Sequence, residues 1–389
     1  MKKIKFIVKF LLGRTVYFFS GFFPRKSNLW AFGSFNGFED NPKHLYLYML
    51  KNNKDIRVVW LAKDSSVINQ AEKFGGEVYS LYSVKGFFIA LTAGVYIYSA
   101  YLTDISFITS RNARKVNLWH GIPIKKIEFD INSAPLVNHF SKANFLYRQI
   151  YAYKHMKPDL ILCPSKYSSD YTFKSAFRVT EDECLFARYP RVTALLEMTP
   201  KTKKSTYNKI FLYMPTWRDS NVDIIKTSGI DFEKLNLLMA SHNCLLIFKP
   251  HPLTNIGDVG ELSHISIRKE SVDLNELLLI ADCLITDYSS VIFDYLHLDR
   301  PIIFFNYDMN EYQRERELYF NYDSIVCGAL ASNFDMLITA LERVIYGVDQ
   351  FKEKRSLLYN KFTSEIGDNE VIINKIKHLV NIRDYEKST

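Results

Sequence analysis

Short apolar runs alternate with helix-period segments along most of the chain. Runs rich in β-branched and aromatic residues predict six strands in the first half, at 28–32, 57–62, 77–81, 95–99, 116–119 and 160–163. Between them, apolar residues spaced three and four apart predict helices, for example at 44–51 and 67–74. Strands that alternate with helices in this way are typical of βαβ units and a mainly parallel sheet.

A polar stretch rich in lysine and threonine, residues 197–209, interrupts this alternation, and we interpret it as a linker. Beyond it the pattern predicts strands at 210–214, 244–248, 283–286 and 301–305, and helices at 232–241, 274–281, 290–298 and 333–346. The expected fold is α/β, with two doubly wound Rossmann-like domains that face each other across a cleft. We expect the first domain at 27–200 and the second, which includes the C-terminal helices, at 201–389.

The first 26 residues combine positive charge with large apolar side chains. Seven lysines and arginines precede Glu39, the first acidic residue, and supply most of the formal net charge of +8. This mixture is typical of a helix at the interface of an anionic bilayer, and the cations interrupt the run of about 20 apolar residues that a spanning helix needs. We therefore expect residues 1–26 to form a basic amphipathic membrane-interface segment; the alternative is a core helix with a solvated basic face. Because the remaining chain is nearly neutral, we expect no nucleic-acid partner.

Three second-half strands end in residues suited to binding an anion. They lead into Pro215-Thr216-Trp217-Arg218, Lys249-Pro250-His251-Pro252 and Asp287-Tyr288-Ser289-Ser290. Ligands of open α/β sheets bind outside the carboxyl ends of the strands, so these loops predict a phosphate site. We expect Arg218 to clamp a phosphate through two N–H groups and Lys249 to bind it as a point charge.

Two serines follow the last of these strands, and either can cap the helix that comes next. The free N–H groups and the positive dipole end of that helix attract phosphate, so we expect Ser289 and Ser290 to contact the donor. Asp287 is expected to support the site by accepting backbone N–H groups or by orienting His251 or Arg218. The alternatives are an ordinary helix cap, a structural histidine and a solvated loop arginine.

One strand end of the first half offers comparable chemistry. The strand at 116–119 leads into His120-Gly121-Ile122-Pro123-Ile124-Lys125. Gly121 allows a ligand to approach the backbone closely, and an imidazole with a pKa near neutrality suits general-base work on a hydroxyl. We therefore predict His120 as the base, with Gly121, Lys125 and Thr216 in support; a purely structural His120 is the alternative.

Several cofactor and metal signatures are missing from the sequence. It contains no D-x-D pair, no G-x-x-x-x-G-K-[ST] and no G-x-G-x-x-G, and its five cysteines are widely spaced. We therefore expect no cofactor and no metal, and a reducing, cytoplasmic setting. Side chains and a helix end must then neutralise a bound diphosphate.

Five ordered elements of the sequence resemble motifs of the CDP-glycerol glycerophosphotransferase family. The stretch 118–127 resembles its W-H-G-T-P-L-K element, 215–218 its P-T-W-R element, 249–252 its K-x-H-P box, and 285–295 its T-D-Y-S-S-x-x-F-D box, with Arg300-Pro301-Ile302-Ile303 completing the series. The resemblance spans roughly 30–328 and implies a GT-B fold. It also implies a peripheral enzyme at the cytoplasmic face of the bacterial cell membrane.

The resemblance further implies a polyol-phosphate transfer that uses CDP-glycerol or CDP-ribitol as donor. His120 and His251 match the family's active-site histidines, and Arg218, Ser289 and Ser290 match its donor phosphate contacts. A hydroxyl of a lipid-linked saccharide or polymer, such as wall teichoic acid or capsule, would attack the β-phosphate and release CMP.

The sequence departs from the family pattern in places that leave the polyol and the acceptor open. Arg188-Tyr189-Pro190-Arg191-Val192-Thr193 stands where the family commonly has G-x-P-R-N-D, and the elements near 316–318 and 325–328 are also altered. The chain length fits a single catalytic unit such as a primase or a capsule repeat-unit transferase, and does not separate a primase from a polymerase. The competing interpretations are a GT-B glycosyltransferase that uses a nucleotide sugar and a non-catalytic, membrane-associated nucleotide-binding scaffold.

Overall fold

The computed structural model describes residues 2–198, 206–218, 227–250, 254, 260, 262–268, 272–365 and 367–388, apart from the side chains of 2–4, 315 and 382–389. The chain divides into two compact units. Unit 1 comprises Met1–His120, Ile127–Thr193 and Glu365–Thr389, and unit 2 comprises Gly121–Lys126 and Ala194–Ser364.

Unit 1 is built on a seven-stranded parallel sheet with the order β3-β2-β1-β4-β5-β6-β7. Its strands are β1 (Lys26–Phe32), β2 (Arg57–Ala62), β3 (Glu77–Ser80), β4 (Ala93–Tyr98), β5 (Arg114–Asn117), β6 (Leu160–Cys163) and β7 (Cys184–Phe186). All six residues of β4 are buried, as expected for a parallel strand covered on both faces. The strand order reverses between β1 and β4, so the loops after these two strands flank the topological switch point.

The helices of unit 1 follow the predicted alternation. They are α1 (Lys2–Ser20), α2 (Asp40–Asn52), α3 (Ser65–Glu72), α4 (Val84–Thr92), α5 (Phe145–Ile150), α6 (Lys166–Ser168), α7 (Lys174–Phe177) and α8 (Pro190–Glu197), whose last residues belong to unit 2. A π-helical turn, Ser169–Phe173, joins α6 to α7. Short 3-10 helices at Leu102–Asp104 and Glu128–Asp130 follow β4 and β5 respectively.

The N-terminal helix α1 packs on unit 1 through one face. The ring of Tyr17 stacks on Phe107 with 4.7 Å between centroids, and the guanidinium of Arg25 donates to backbone carbonyls that include Ala90 at 3.0 Å and Ala93 at 3.1 Å. Arg25 therefore satisfies carbonyls at the end of α4, where a helix leaves them without partners. The guanidinium of Arg25 therefore stabilises the fold of unit 1, whereas the sequence pattern grouped it with the cations expected to face a membrane.

The other face of α1 leaves large apolar side chains exposed: Phe6, Ile7, Val8, Leu11, Leu12, Phe18 and Phe19. So many exposed large apolar side chains on one helix are unusual on a protein that meets only water. In the described part of the chain, no helix is both long enough and apolar enough to cross a membrane.

Unit 2 contains a six-stranded parallel sheet with the order β10-β9-β8-β11-β12-β13. Its strands are β8 (Lys209–Met214), β9 (Cys244–Phe248), β10 (Ile265–Ile267), β11 (Cys283–Thr286), β12 (Ile302–Phe305) and β13 (Ala329–Ala331). Its helices are α9 (Phe232–Ser241), α10 (Leu274–Ile280), α11 (Val291–Tyr295), α12 (Met309–Glu315), α13 (Phe334–Ile345) and α14 (Lys352–Phe362). The order reverses between β8 and β11, so the loops after these strands flank a second switch point.

The chain is divided differently from the predicted boundaries of 27–200 and 201–389. The last helix, α15 (Asn369–Ser388), belongs to unit 1, where its Ile372, Ile373 and Ile376 are buried. Tyr48 of α2 donates to the Glu370 carboxylate at 2.9 Å. The apolar face of α15 therefore completes the core of unit 1. The predicted domain boundary, which was placed at the polar linker, did not indicate this return of the chain to unit 1. Part of that linker, 199–205, lies outside the described residues.

The contacts of Arg25 predict that it stabilises unit 1 although it lies among surface cations. Arg25→Ala should lower the free energy of unfolding by about 2–4 kcal/mol, because several buried carbonyls lose a charged donor. Denaturant unfolding measures this. The matched control is Lys26→Ala, whose side chain is exposed and which should change stability by less than about 0.5 kcal/mol. Equal losses in the two variants would contradict the assignment.

Candidate active site

His120 lies at the carboxyl edge of the unit 1 sheet, three residues after β5, and its side chain is exposed. Its Nδ1 is 3.3 Å from the carbonyl oxygen of Ser99, which directly follows β4. A carbonyl only accepts, so this contact requires the proton on Nδ1 and puts the imidazole lone pair on Nε2. In the neutral imidazole, the basic nitrogen is then Nε2.

Backbone geometry and two buried asparagines fix the turn that carries His120. Trp119 has a φ of 49° and Gly121 a φ of 140°, and the latter conformation is one that glycine adopts without strain. Asn41 donates to the carbonyls of Leu118 at 3.2 Å and Trp119 at 2.8 Å. Asn117 accepts the N–H of Trp119 at 2.8 Å. The sequence analysis missed both asparagines, although Asn117 is the buried last residue of β5.

The segment that departs from the family pattern holds Asn41 in place. The Arg191 backbone N–H donates to the Asn41 side chain at 3.3 Å, and the Arg191 guanidinium pairs with Asp40 at 2.6 Å. Arg191 is one of the residues retained from the G-x-P-R-N-D pattern. The segment therefore supports the His120 turn from the side of α8.

In unit 2, Arg218 is buried between two carboxylates. The guanidinium contacts Asp287 at 2.8 Å and Asp308 at 2.6 Å, and only 6% of its side chain is exposed. It also donates to the carbonyl of Thr216. Burial lowers the pKa of Arg218, but Asp287 and Asp308 offset this and the pKa is raised overall. In this structure Arg218 joins strand ends, and its predicted role as a phosphate clamp stays a prediction.

Asp287 ties the end of β8 to the end of β11. Its carboxylate accepts the N–H of Thr216 at 2.9 Å and the N–H of Tyr288 at 2.6 Å, and the Thr216 hydroxyl also donates to it. Asp287 thus contacts the groups expected of it, backbone N–H groups and Arg218. The sequence analysis missed Asp308, although it follows β12 at the same edge of the sheet.

Stacked tyrosines enclose this ion cluster. The rings of Tyr288 and Tyr312 lie 3.7 Å apart, and the Arg218 guanidinium is 5.1 Å from each ring centroid. Tyr288 donates to Asp308 at 3.1 Å. Burial, with the nearby Asp308 and Asp287 charges, raises the pKa of Tyr288, so its hydroxyl remains a donor.

The other predicted donor-site residues of unit 2 lie at neighbouring strand ends. Ser289 and Ser290 are half-buried after β11, and it is the Ser289 hydroxyl that accepts the N–H of Val291, at 3.4 Å. Lys249 follows β9, and its backbone N–H donates to the carbonyl of Tyr213 at 2.9 Å. His251 lies outside the described residues.

The segment that follows His120, Gly121–Lys126, belongs to unit 2. Lys125 forms an isolated antiparallel bridge with Leu318, and its ammonium lies 5.9 Å from the Tyr312 ring centroid. Lys125 is therefore attached to the aromatic cluster around Arg218. Within the described ranges, no group of three or more histidine, cysteine, aspartate or glutamate side chains is arranged to hold a metal ion.

The buried ion cluster predicts a large loss of stability when its cation is removed. Arg218→Ala should lower the free energy of unfolding by about 3–5 kcal/mol, because Asp287 and Asp308 would remain buried without a counter-charge. The control is Arg57→Ala, which breaks a surface pair with Glu77 whose side chains are 43% and 40% exposed and should cost about 0–1 kcal/mol. Denaturant unfolding compares them, and a small loss in Arg218→Ala would contradict the structural role.

Comparison with known proteins identifies the family. The family model described as CDP-Glycerol:Poly(glycerophosphate) glycerophosphotransferase matches residues 15–371. A teichoic acid glycerol-phosphate transferase of Staphylococcus aureus is 29% identical over 361 residues, covering 88% of this chain and 90% of the relative. A teichoic acid poly(glycerol phosphate) polymerase of Staphylococcus epidermidis is 29% identical over 86% of this chain, which spans only 48% of that polymerase.

A solved structure of the wall teichoic acid polymerase TagF matches 99% of this chain and 98% of its own, with a TM-score of 0.76 and 25% sequence identity. This likeness and the two parallel sheets confirm the predicted α/β, GT-B-like fold. The predicted enzyme class, a CDP-polyol phosphotransferase, is also confirmed. Both its ordered strand-end motifs and the family model agree, and the chain belongs to the CDP-glycerol:poly(glycerophosphate) glycerophosphotransferase family.

Proposed function

We propose that this protein transfers glycerol phosphate or ribitol phosphate from a CDP-activated donor to a hydroxyl group of a cell-envelope polymer and releases CMP. Family membership supports the donor class and the reaction. The observation that carries the proposal is the exposed imidazole of His120, whose Nδ1 donates to Ser99.

In the proposed reaction, His120 acts as general base. Its Nε2 takes the proton from the acceptor hydroxyl while that oxygen attacks the β-phosphorus of the donor. The bond from the β-phosphorus to the bridging oxygen breaks, and CMP leaves with the electron pair. Phosphoryl transfer of this kind depends mainly on positioning and on the stabilisation of charge on phosphoryl oxygens. We keep His251, which matches the second family histidine, as a predicted catalytic partner.

We propose that the loops after β9 and β11 bind the donor diphosphate. Lys249 supplies positive charge, and Ser289 and Ser290 supply hydroxyl groups beside the start of α11. Arg218 contributes to donor binding indirectly. It pairs with Asp287, and Asp287 holds the loop that carries the two serines. Side chains would then neutralise the diphosphate without a resident metal or cofactor.

We also propose that α1 attaches the enzyme to an anionic membrane surface, where a lipid-linked acceptor would be found. Leu11 and Leu12 of α1 are 57% and 61% exposed, and lysines of the same helix accompany them. The neighbouring helix α5 contacts α1 through Arg14 and Gln149 and leaves Phe145 and Leu146 exposed. Exposed apolar side chains among cations are suited to the headgroup region of a bilayer.

The catalytic proposal predicts the effect of removing the His120 imidazole. His120→Ala should lower kcat for CMP release by about 10²–10⁴-fold, because the acceptor loses its base, while donor binding stays unchanged. The measurement is CMP release from CDP-glycerol and CDP-ribitol with a lipid-linked acceptor. His139→Ala is the control, since His139 lies in a 3-10 helix of unit 1 and stacks on Tyr147. Unchanged turnover in His120→Ala would remove this residue from the mechanism.

The same assay separates the competing enzyme class. Incubation with UDP- and GDP-sugars should give no nucleotide release, and mass analysis of the product should show an added polyol phosphate. Sugar transfer from a nucleotide sugar, without CMP release from any CDP-polyol, would overturn the proposed function.

The membrane proposal predicts that apolar contacts of α1 contribute to vesicle binding. Leu11→Ser/Leu12→Ser should weaken cosedimentation with phosphatidylglycerol-containing vesicles roughly tenfold or more, because each buried leucine contributes about 2 kcal/mol. The control is Leu237→Ser/Leu357→Ser, which changes leucines that are 68% and 71% exposed on helices of unit 2. Equal binding by both double variants would contradict the role of α1.

A further inference from the structure

Asp104 is a buried carboxylate at the switch point of the unit 1 sheet. It ends the 3-10 helix Leu102–Asp104 and is 5% exposed. Its Oδ2 accepts the N–H of Ala100 at 2.8 Å and the N–H of Ser99 at 3.1 Å. The Ser99 hydroxyl also lies within 3.3 Å of the same oxygen. One carboxylate oxygen therefore fixes the backbone that follows β4.

The peptide group between Ser99 and Ala100 connects Asp104 to His120. Its N–H, which belongs to Ala100, donates to Asp104, and its C=O, which belongs to Ser99, accepts from His120 Nδ1. The N–H and C=O of a trans peptide lie in one plane and point in opposite directions. Fixing the N–H end therefore also fixes the direction of the carbonyl that receives the imidazole proton.

Hydrogen bonds in such a series polarise one another. A carboxylate that accepts the N–H increases the negative charge on the carbonyl oxygen at the other end of the peptide. That oxygen then favours a protonated Nδ1, which leaves the lone pair on Nε2. In serine proteases an aspartate bonds directly to the imidazole and sets its tautomer; here a peptide group lies between the two.

The environment of Asp104 shows what this arrangement costs in stability. Burial raises the pKa of its carboxyl to about 6, although the N–H groups of Ala100 and Ser99 lower it. Its other oxygen, Oδ1, is buried and has no hydrogen-bond partner among the described residues. A buried polar atom without a protein partner is unfavourable.

The neighbouring backbone holds Asp104 closely. A Cβ added at Gly33 would lie 2.8 Å from the Asp104 carbonyl oxygen, so only glycine fits there. Asn117 donates to the Ala100 carbonyl at 3.2 Å and accepts from Trp119 at 2.8 Å. The loop after β4 and the turn that carries His120 are thus joined at two points.

We propose that Asp104 is a positioning residue for the transfer reaction, which orients His120 and fixes its tautomer through the Ser99–Ala100 peptide group. This inference depends on the proposed function of His120 as base. Nothing in the motif that contains His120 indicates this residue, because Asp104 lies sixteen positions earlier.

The first test is a pair of substitutions at Asp104. Asp104→Ala removes the acceptor and should lower kcat about 10–100-fold with little change in the KM for the CDP-polyol, because a base displaced by about 1 Å loses activity on this scale. Asp104→Asn should stay within about fivefold of wild type, because a single oxygen makes all the contacts and the amide retains one. The proposal would be overturned if Asp104→Ala raised the KM for the CDP-polyol and left kcat unchanged. It would also be overturned if both variants lost the same amount of activity.

The matched control is Asp159→Ala. Asp159 also accepts a backbone N–H, that of Lys115 at 2.7 Å, but at the amino end of β5. It should change thermal stability and leave kcat near wild type. If Asp159→Ala and Asp104→Ala lower kcat equally, Asp104 has only a general structural role.

A double-mutant cycle shows whether Asp104 acts through His120. In a His120→Ala background, Asp104→Ala should have no further effect on residual CMP release, because the group that it positions is missing. Independent, multiplicative losses would overturn the proposal.

The last test does not depend on turnover, so it distinguishes this inference from a failure of the proposed function. In protein labelled with ¹⁵N-histidine, the His120 signals are those lost in His120→Ala. Wild type and Asp104→Asn should show one tautomer with the proton on Nδ1, and folded Asp104→Ala should show a mixture of tautomers. An unchanged tautomer in Asp104→Ala would refute the link, whatever the activity measurements show.

Discussion

A buried carboxylate that accepts backbone N–H groups lies at the carboxyl end of each parallel sheet, and the loops that carry the candidate site depend on it. Asp104 follows β4 in unit 1, and Asp287 follows β11 in unit 2; each strand is the first after the reversal of strand order. Where parallel strands end, the N–H groups of the next loop lose their ladder partners and need another acceptor if they are buried. A carboxylate accepts several at once, so one side chain selects one loop conformation. The orientation of His120 and the placement of Ser289 both follow from that selection.

The two sheets balance the charge of this carboxylate differently. Asp287 is paired with Arg218, which also binds Asp308, so the edge of unit 2 is held by a network of ion pairs and stacked tyrosines. Asp104 has Lys63 nearby, but that ammonium donates to the Thr103 carbonyl, and desolvation dominates the pKa of the carboxyl. Unit 2 therefore has ion pairs and stacked rings that hold the strand ends next to the loops for which we propose diphosphate binding. Unit 1 retains a costly buried charge at the point where the orientation of an imidazole matters, which is where proteins tolerate such costs.

The fold could be predicted from the sequence because buried strands appear as continuous apolar runs and amphipathic helices have a 3.6-residue periodicity. Three strands were missed, β7, β10 and β13, each only three residues long and so too short for a pattern to appear. The candidate residues could be assigned to strand ends from the sequence, and the carboxyl ends of parallel strands meet at one edge. The partners of these residues could not be predicted. Asn41 and Asp308 come from distant parts of the chain, and only the folded structure brings them to Trp119 and Arg218. Asp104 lies in the loop after β4, and only the fold brings that loop beside His120. The structural contacts of half-buried Arg25 and buried Arg218 could not be predicted for the same reason, since composition does not reveal what a guanidinium contacts.

The residues that match the family motifs lie in the loops at strand ends, and the physical requirements of these loops explain why. Between this chain and the polymerase TagF the fold agrees with a TM-score of 0.76 at 25% identity, because a sheet interior accepts many apolar side chains of suitable volume. The loops at strand ends accept few alternatives, since each must satisfy particular backbone groups and present particular polar atoms. Pro190 and Arg191 remain where other positions of that element have changed, and Arg191 is the residue that contacts Asp40 and Asn41. Arg191, which supports the His120 turn through Asn41, thus matches the family pattern, while Arg188 and Thr193 beside it depart from that pattern. Differences in acceptor or polyol between family members are therefore expected at the varying neighbours, Arg188 and Thr193 among them, and not at the residues that hold the base.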